Sequence, residues 1–146
     1  MFKHISGVVI VAFGLGTAVA QAGPNTFTYE VTITNVTLAE SFTPLLAVTH
    51  SSAIQLFAPG DAASGPLAEM AEGGDIGPLR ALAAGEPDLV AGTEATSGLL
   101  TPGKGVTLRI ATRPGFDRLS LVGMLIPTNG TFLGVNLAGL TLAPGV

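Results

Sequence analysis

The chain is 146 residues long, 47% hydrophobic and 11% charged, with a formal net charge of -4 and no cysteine. That length holds about one domain, which excludes a multidomain machine. Ten acidic and six basic side chains, thinly spread, leave neither a basic footprint for nucleic acid nor a charge-driven disordered tail, and thiol catalysis and thiolate metal sites are excluded outright.

Lys3 and His4 precede an uncharged run of about 14 residues, Gly7 to Ala20, followed by the small-residue patterns Ala18-Val19-Ala20 and Ala20-Gln21-Ala22. This is the order of a secretory signal peptide, and the run is short of the roughly 20 residues that a membrane-crossing helix needs. Residues 1–22 are therefore expected to form a signal-peptide helix. Their removal leaves a mature domain of residues 23–146 with no membrane span, secreted or periplasmic, held by packing without disulfides.

Residues 26–36 alternate strictly, with Phe27, Tyr29, Val31 and Ile33 on one parity and threonines with Glu30 on the other, which predicts a half-buried strand. Residues 45–49 predict a second strand, with a short extension over 54–57. From Pro59 onward Gly, Ala and Pro dominate. There Leu67, Met70, Ile76, Leu79 and Leu82 recur at helical spacing, with Ser64 and Asp75 as N-caps, Pro66 and Pro78 in first turns, and Gly73 and Gly85 at the ends. Two short helices follow, about 66–72 and 76–84. The alternation of Val106, Leu108 and Ile110 predicts another strand. The nearly continuous apolar run 118–126 predicts a strand covered on both faces or crossing the centre of a sandwich, and 131–137 pairs back on it after Pro127-Thr128-Asn129-Gly130. The fold class is all-β: an antiparallel β-sandwich with a short helical insert.

Chemistry is sparse. Only His50 remains once the signal is removed, so histidine metal clusters are excluded. A Ser-His-Asp triad can be drawn around His50, but no Gly-x-Ser-x-Gly elbow supports it. Glu69, Glu72 and Asp75 form a carboxylate cluster that reads first as a solvated helix face. Gly103-Lys104-Gly105 lacks the frame of a phosphate loop. With no Trp and only Tyr29 beside the phenylalanines, stacking platforms for sugars or single strands are thin. Asn35-Val36-Thr37 and Asn129-Gly130-Thr131 are sequons that carry meaning only in a eukaryotic secretory pathway.

Three segments carry a resemblance. Tyr29-Glu30-Val31-Thr32-Ile33-Thr34-Asn35, with Phe42-Thr43-Pro44 and Val48-Thr49-His50, resembles the opening of spondin N-terminal domains, especially exported bacterial proteins that consist of this domain alone. Residues 68–79 look like that family's short helical insert. Residues 118–129, with Phe132-Leu133-Gly134-Val135, look like its Met-x-x-Pro and aromatic-x-Gly strand pair, so the likeness spans roughly 27–137.

The resemblance implies a C2-like β-sandwich used in matrix and adhesion proteins. It also implies a calcium site, built in the animal members from an Asp just before the aromatic of the strand pair and an acidic segment further downstream. The first position falls on Gly130, flanked by Asn129 and Thr131, and the sequence ends at Val146 before the second. Asp117 beside Arg118 is no substitute. The expectation is therefore no metal and no cofactor, in a natural short form or a domain truncated at its C-terminus.

The reading that follows is an exported, non-catalytic spondin-like domain that binds a protein or glycan at the cell surface. The alternatives are an exported hydrolase using His50 or the Glu69, Glu72 and Asp75 cluster, or a self-associating surface-layer subunit. Processing is tested directly: small residues at the -1 and -3 positions predict a mature N-terminus at Gln21 or Gly23. Mass spectrometry of exported protein should show one of these, and retention of Met1 would contradict cleavage.

Overall fold

The computed structural model describes residues 26–140 and, as backbone, strand β1 (Val9–Gly14). The other strands are β2 (Phe27–Asn35), β3 (Ser41–Phe42), β4 (Leu46–His50), β5 (Val90–Ala95), β6 (Gly105–Thr112), β7 (Arg118–Ile126) and β8 (Phe132–Ala138). Helices α1 (Gly65–Gly73) and α2 (Gly77–Ala84) lie between β4 and β5. All pairings are antiparallel, and the chain is the all-β sandwich with a small helical insert that its sequence pattern predicts.

The smaller sheet has the order β1-β2-β6. In the larger, β7 is central: β8 runs along one side of it, while β3 and β4 share the other, β3 opposite residues 125–126 and β4 opposite 118–122, with β5 outside β4. Alternation sorts side chains to the two faces of this sheet. Leu119, Leu121 and Leu125 of β7 pack with Val31 and Ile33 of β2 and Leu108 and Ile110 of β6, forming the core between the sheets. Val122, with Leu46 and Val48 of β4, faces the other way onto Leu67 and Met70 of α1 and Leu79 and Ala83 of α2. Residues 119–125 are all buried because β7 is covered on both faces, which accounts for its nearly unbroken apolar run.

The outer face of β2 is polar. Glu30 Oε1 accepts from Arg109 Nη2 at 2.6 Å across β6, and the Thr32 and Thr107 hydroxyls are 2.8 Å apart. At the end of β2 the buried Asn35 amide satisfies every one of its groups: Nδ2 donates to Glu40 O and Leu100 O, each at 2.8 Å, and Oδ1 accepts from Thr37 N and Oγ1. This ties the smaller sheet to the segment that precedes β3. β6 passes close to β5: a Cβ on Gly92 would stand 2.7 Å from Ala111 O, so only glycine fits.

The insert follows the sequence closely. Ser64 caps α1, accepting from Leu67 N at 3.3 Å; Pro66 sits in its first turn; and Gly74, at φ 72°, closes it by donating to Met70 O. The left-handed terminator is thus Gly74 rather than Gly73. Asp75 Oδ1 accepts from Gly77 N at 2.8 Å and steadies the entry to α2, whose N-cap position is Ile76.

Three features depart from the sequence expectation. Val9–Gly14, predicted to lie within a signal-peptide helix, pair as β1 along the outer side of β2, from Val9 opposite Asn35 to Gly14 opposite Glu30. Consecutive β-branched residues suit a strand, and the open side of β2 offers them backbone partners. The rest of residues 1–22, with both cleavage sites, lies outside the described residues, as do 141–146. Residues 54–57 are not a strand extension, because Ile54, Leu56 and Phe57 fold against the cluster under the helices. β5 carries Gly92, Thr93 and Glu94 where an apolar alternation would announce a strand. No helix among the described residues is long and apolar enough to cross a membrane.

Leu121 is 1% exposed in the core between the sheets. Leu121→Ala should cost about 2–5 kcal/mol through lost transfer energy and the cavity left behind. Urea denaturation of the variant checks this, and a change within about 0.5 kcal/mol, the range of surface substitutions, would refute the packing described here.

Candidate functional site

A serine within a strand buried on both faces needs a hydrogen-bond partner, since an unpaired buried hydroxyl costs roughly 1–3 kcal/mol. Ser120 of β7 has neighbours on both sides. Asn136 stands directly opposite on β8. His50, at the end of β4 and two residues beyond Val48, which stands opposite Ser120, reaches back with Nε2 at 2.7 Å from Ser120 Oγ. Ser120 Oγ lies 2.6 Å from Asn136 Oδ1, and His50 Nδ1 is 2.7 Å from Ser51 O. The face of the larger sheet that carries these groups is the helix-covered one, but here the covering stops. A hollow of about 200 Å³ remains, lined by His50, Ser120 and Asn136 with Arg118, Ser52 and Gln55.

The hydrogen-bond chain depends on one proton. The Ser51 carbonyl only accepts, so Nδ1 carries a hydrogen and neutral His50 presents a lone pair at Nε2. Ser120 then donates to Nε2 and has no second proton for Asn136 Oδ1. Once protonated, His50 donates from Nε2 and frees the hydroxyl to serve Asn136. Burial works against that state: loss of hydration holds the His50 pKa below its ordinary value, reinforced by the nearby Arg118 charge and offset in part by the Ser51 carbonyl and by Asp117. Arg118 Nε, itself buried, has no hydrogen-bond partner among the described residues; the Asp117 carboxylate stands 3.3 Å away as a charge contact.

His50 and Ser120 have the spacing of a general base and its nucleophile. Three features describe their setting. Ser120 is 0% exposed in the interior of a strand, His50 is 4% exposed, and the group that orients Nδ1 is a backbone carbonyl rather than a carboxylate. The other candidates do not converge on His50. Glu69 and Glu72 are exposed on α1, and Asp75 is exposed in the turn that leads to α2. No group of three or more acidic or histidine residues among the described residues is placed to hold a metal ion. Gly130 lies at φ 77° in the β7–β8 turn, so an acidic side chain there would also carry backbone strain. Of the sequons, Asn35 is buried with both amide hydrogens engaged and cannot accept a glycan in this fold, whereas Asn129 is exposed.

A second, larger cleft of about 780 Å³ lies between residues 55–63 and the start of β8, with Phe57 edge-on to Phe132 at 5.6 Å. It is mostly apolar, and its one carboxylate is Asp61. The sequence reading singled out neither Ser120 nor Asn136, and it placed Arg118 only as a neighbour of Asp117. One signal was available: Ser120 is the single hydroxyl in the apolar run 118–126, and His50 is the only histidine after His4.

A histidine whose pKa is lowered by folding binds its proton more readily in the unfolded chain. Its contribution to stability is therefore complete above about pH 6.5, the unfolded value, and is lost as the pH falls from there toward the folded value. The unfolding free energy should decline over that window, and His50→Gln should flatten the decline. Urea titrations at a series of pH values check this, and equal slopes in both proteins would contradict it.

No protein-family model matches the chain, and no curated protein matches it.

Proposed function

We propose that the chain is an exported, non-catalytic, spondin-like domain of C2-like type that acts by surface contact with a protein or glycan at the cell envelope or outside the cell. The observation that carries this reading is the burial of Ser120: its hydroxyl sits between His50 and Asn136 inside the central strand, so the residues that most resemble catalytic machinery serve as a structural hydrogen-bond chain. The hollow beside it supports contact chemistry. Arg118 brings a partly exposed cation, and Ser52, Gln55 and Asn136 bring exposed polar groups, a set suited to a carboxylate or hydroxyl of a docked ligand.

A broad hydrolase screen of the processed protein tests the reading, run beside binding measurements with acidic and neutral glycans. The expected result is no turnover, with binding that Arg118→Gln weakens. Turnover that disappears in His50→Ala or Glu72→Gln would overturn it in favour of an enzyme.

A further inference from the structure

On its outer side β2 is covered by β1, and the strand itself carries few of the usual guards of a sheet edge. Sheet edges are ordinarily kept short, bulged, or marked with Lys or Pro, because their unpaired backbone groups recruit other strands. β2 runs nine residues without Pro or Lys, and its pairing with β6 proceeds without a bulge from Phe27 opposite Thr112 to Thr34 opposite Gly105. Its one charge, Glu30, is engaged by Arg109 across the sheet. The structure also shows that this edge accepts an antiparallel strand, since β1 pairs with it over six residues. Removal of residues 1–22, which the N-terminal sequence predicts, takes β1 away and bares the edge.

We propose that the processed chain covers this edge with the β2 strand of a second copy, forming a two-fold dimer with a continuous sheet β6-β2-β2-β6. A two-fold axis at Val31, the midpoint of β2, pairs all nine residues of the strand. Glu30 then stands opposite the partner's Thr32, Thr28 opposite the partner's Thr34, and Tyr29 opposite the partner's Ile33. No like charges meet, and opposed residues share a face, so the apolar face of one copy continues into that of the other. Just past the strand, Val36 is 40% and Leu38 99% exposed, which places unburied apolar surface at both ends of such a ribbon. Because β1 and a second β2 compete for one edge, the precursor is held monomeric and processing releases the dimer. The arrangement is closed, unlike that of a growing surface layer.

Sedimentation equilibrium of the processed protein, and of the chain that retains residues 1–22, tests this together with Thr32→Glu and Thr32→Lys. Both substitutions remove the Thr32–Thr107 hydroxyl contact, so they share whatever that costs the fold, and melting curves confirm folding. They differ in setting Glu or Lys opposite the partner's Glu30, twice per dimer. The processed wild type should dimerise and the precursor should not. The Glu variant should dissociate at least roughly ten-fold more readily than the Lys variant. A processed chain that stays monomeric at about 100 μM would overturn the proposal. So would a precursor that dimerises equally well, or Glu and Lys variants that dimerise alike. A monomer that captures a free peptide of residues 9–14 would show an accepting edge whose occupant is another strand, and would overturn the second-copy assignment.

Discussion

The covering of β7 on both faces is the constraint from which most of this molecule follows. One face needs β2 and β6 over Leu119, Leu121 and Leu125, and the other needs α1 and α2 over Val122. The insert between β4 and β5 is thus part of the hydrophobic architecture: without it Leu46, Val48 and Val122 would meet water. The same double burial obliges the one hydroxyl in the strand, Ser120, to find partners, and the neighbouring strands supply His50 and Asn136. The buried hydroxyl is thereby satisfied from the strands on either side of it.

The sequence was most legible where period and burial coincide. The alternation in β2 and β6, the apolar run of β7 and the Pro-Gly punctuation of the helices each correspond to an element in place, because one local pattern and one tertiary face agree. β5 was not legible, since it is an edge strand whose Gly92 answers the close passage of β6 rather than any propensity. β3 is two residues long and is defined by long-range pairing alone, with the end of β7 on one side and Leu100 on the other. Residues 54–57 carry strand-like composition, yet their apolar side chains are used in a loop that packs beneath the helices.

The site was half legible. His50 stood out as the only histidine after His4, but Ser120, and beyond it Asn136, lie 70 and 86 positions away in sequence, on strands whose register sequence alone does not give. The carboxylates read as a cluster along the chain remain a solvated face in space, since neither α1 nor the turn after it directs them toward the sheet. The hollow at His50 arises from where the helical cover ends, a property of the whole layer arrangement and of no single residue.

The place of β7 in the chain also bears on how the fold is reached. The central strand of the larger sheet is the seventh of eight, so β3, β4 and β5 await an organiser that is synthesised after all of them. Only the β4–insert–β5 stretch can gather apolar contacts early; the sheet itself closes through pairings such as Phe42 with Leu125, more than 80 residues apart. Topology of this kind slows folding, because chain entropy is lost before long-range contacts repay it. A nascent chain short of Arg118 has no central strand to assemble on, and its larger sheet stays open until β7 has been made.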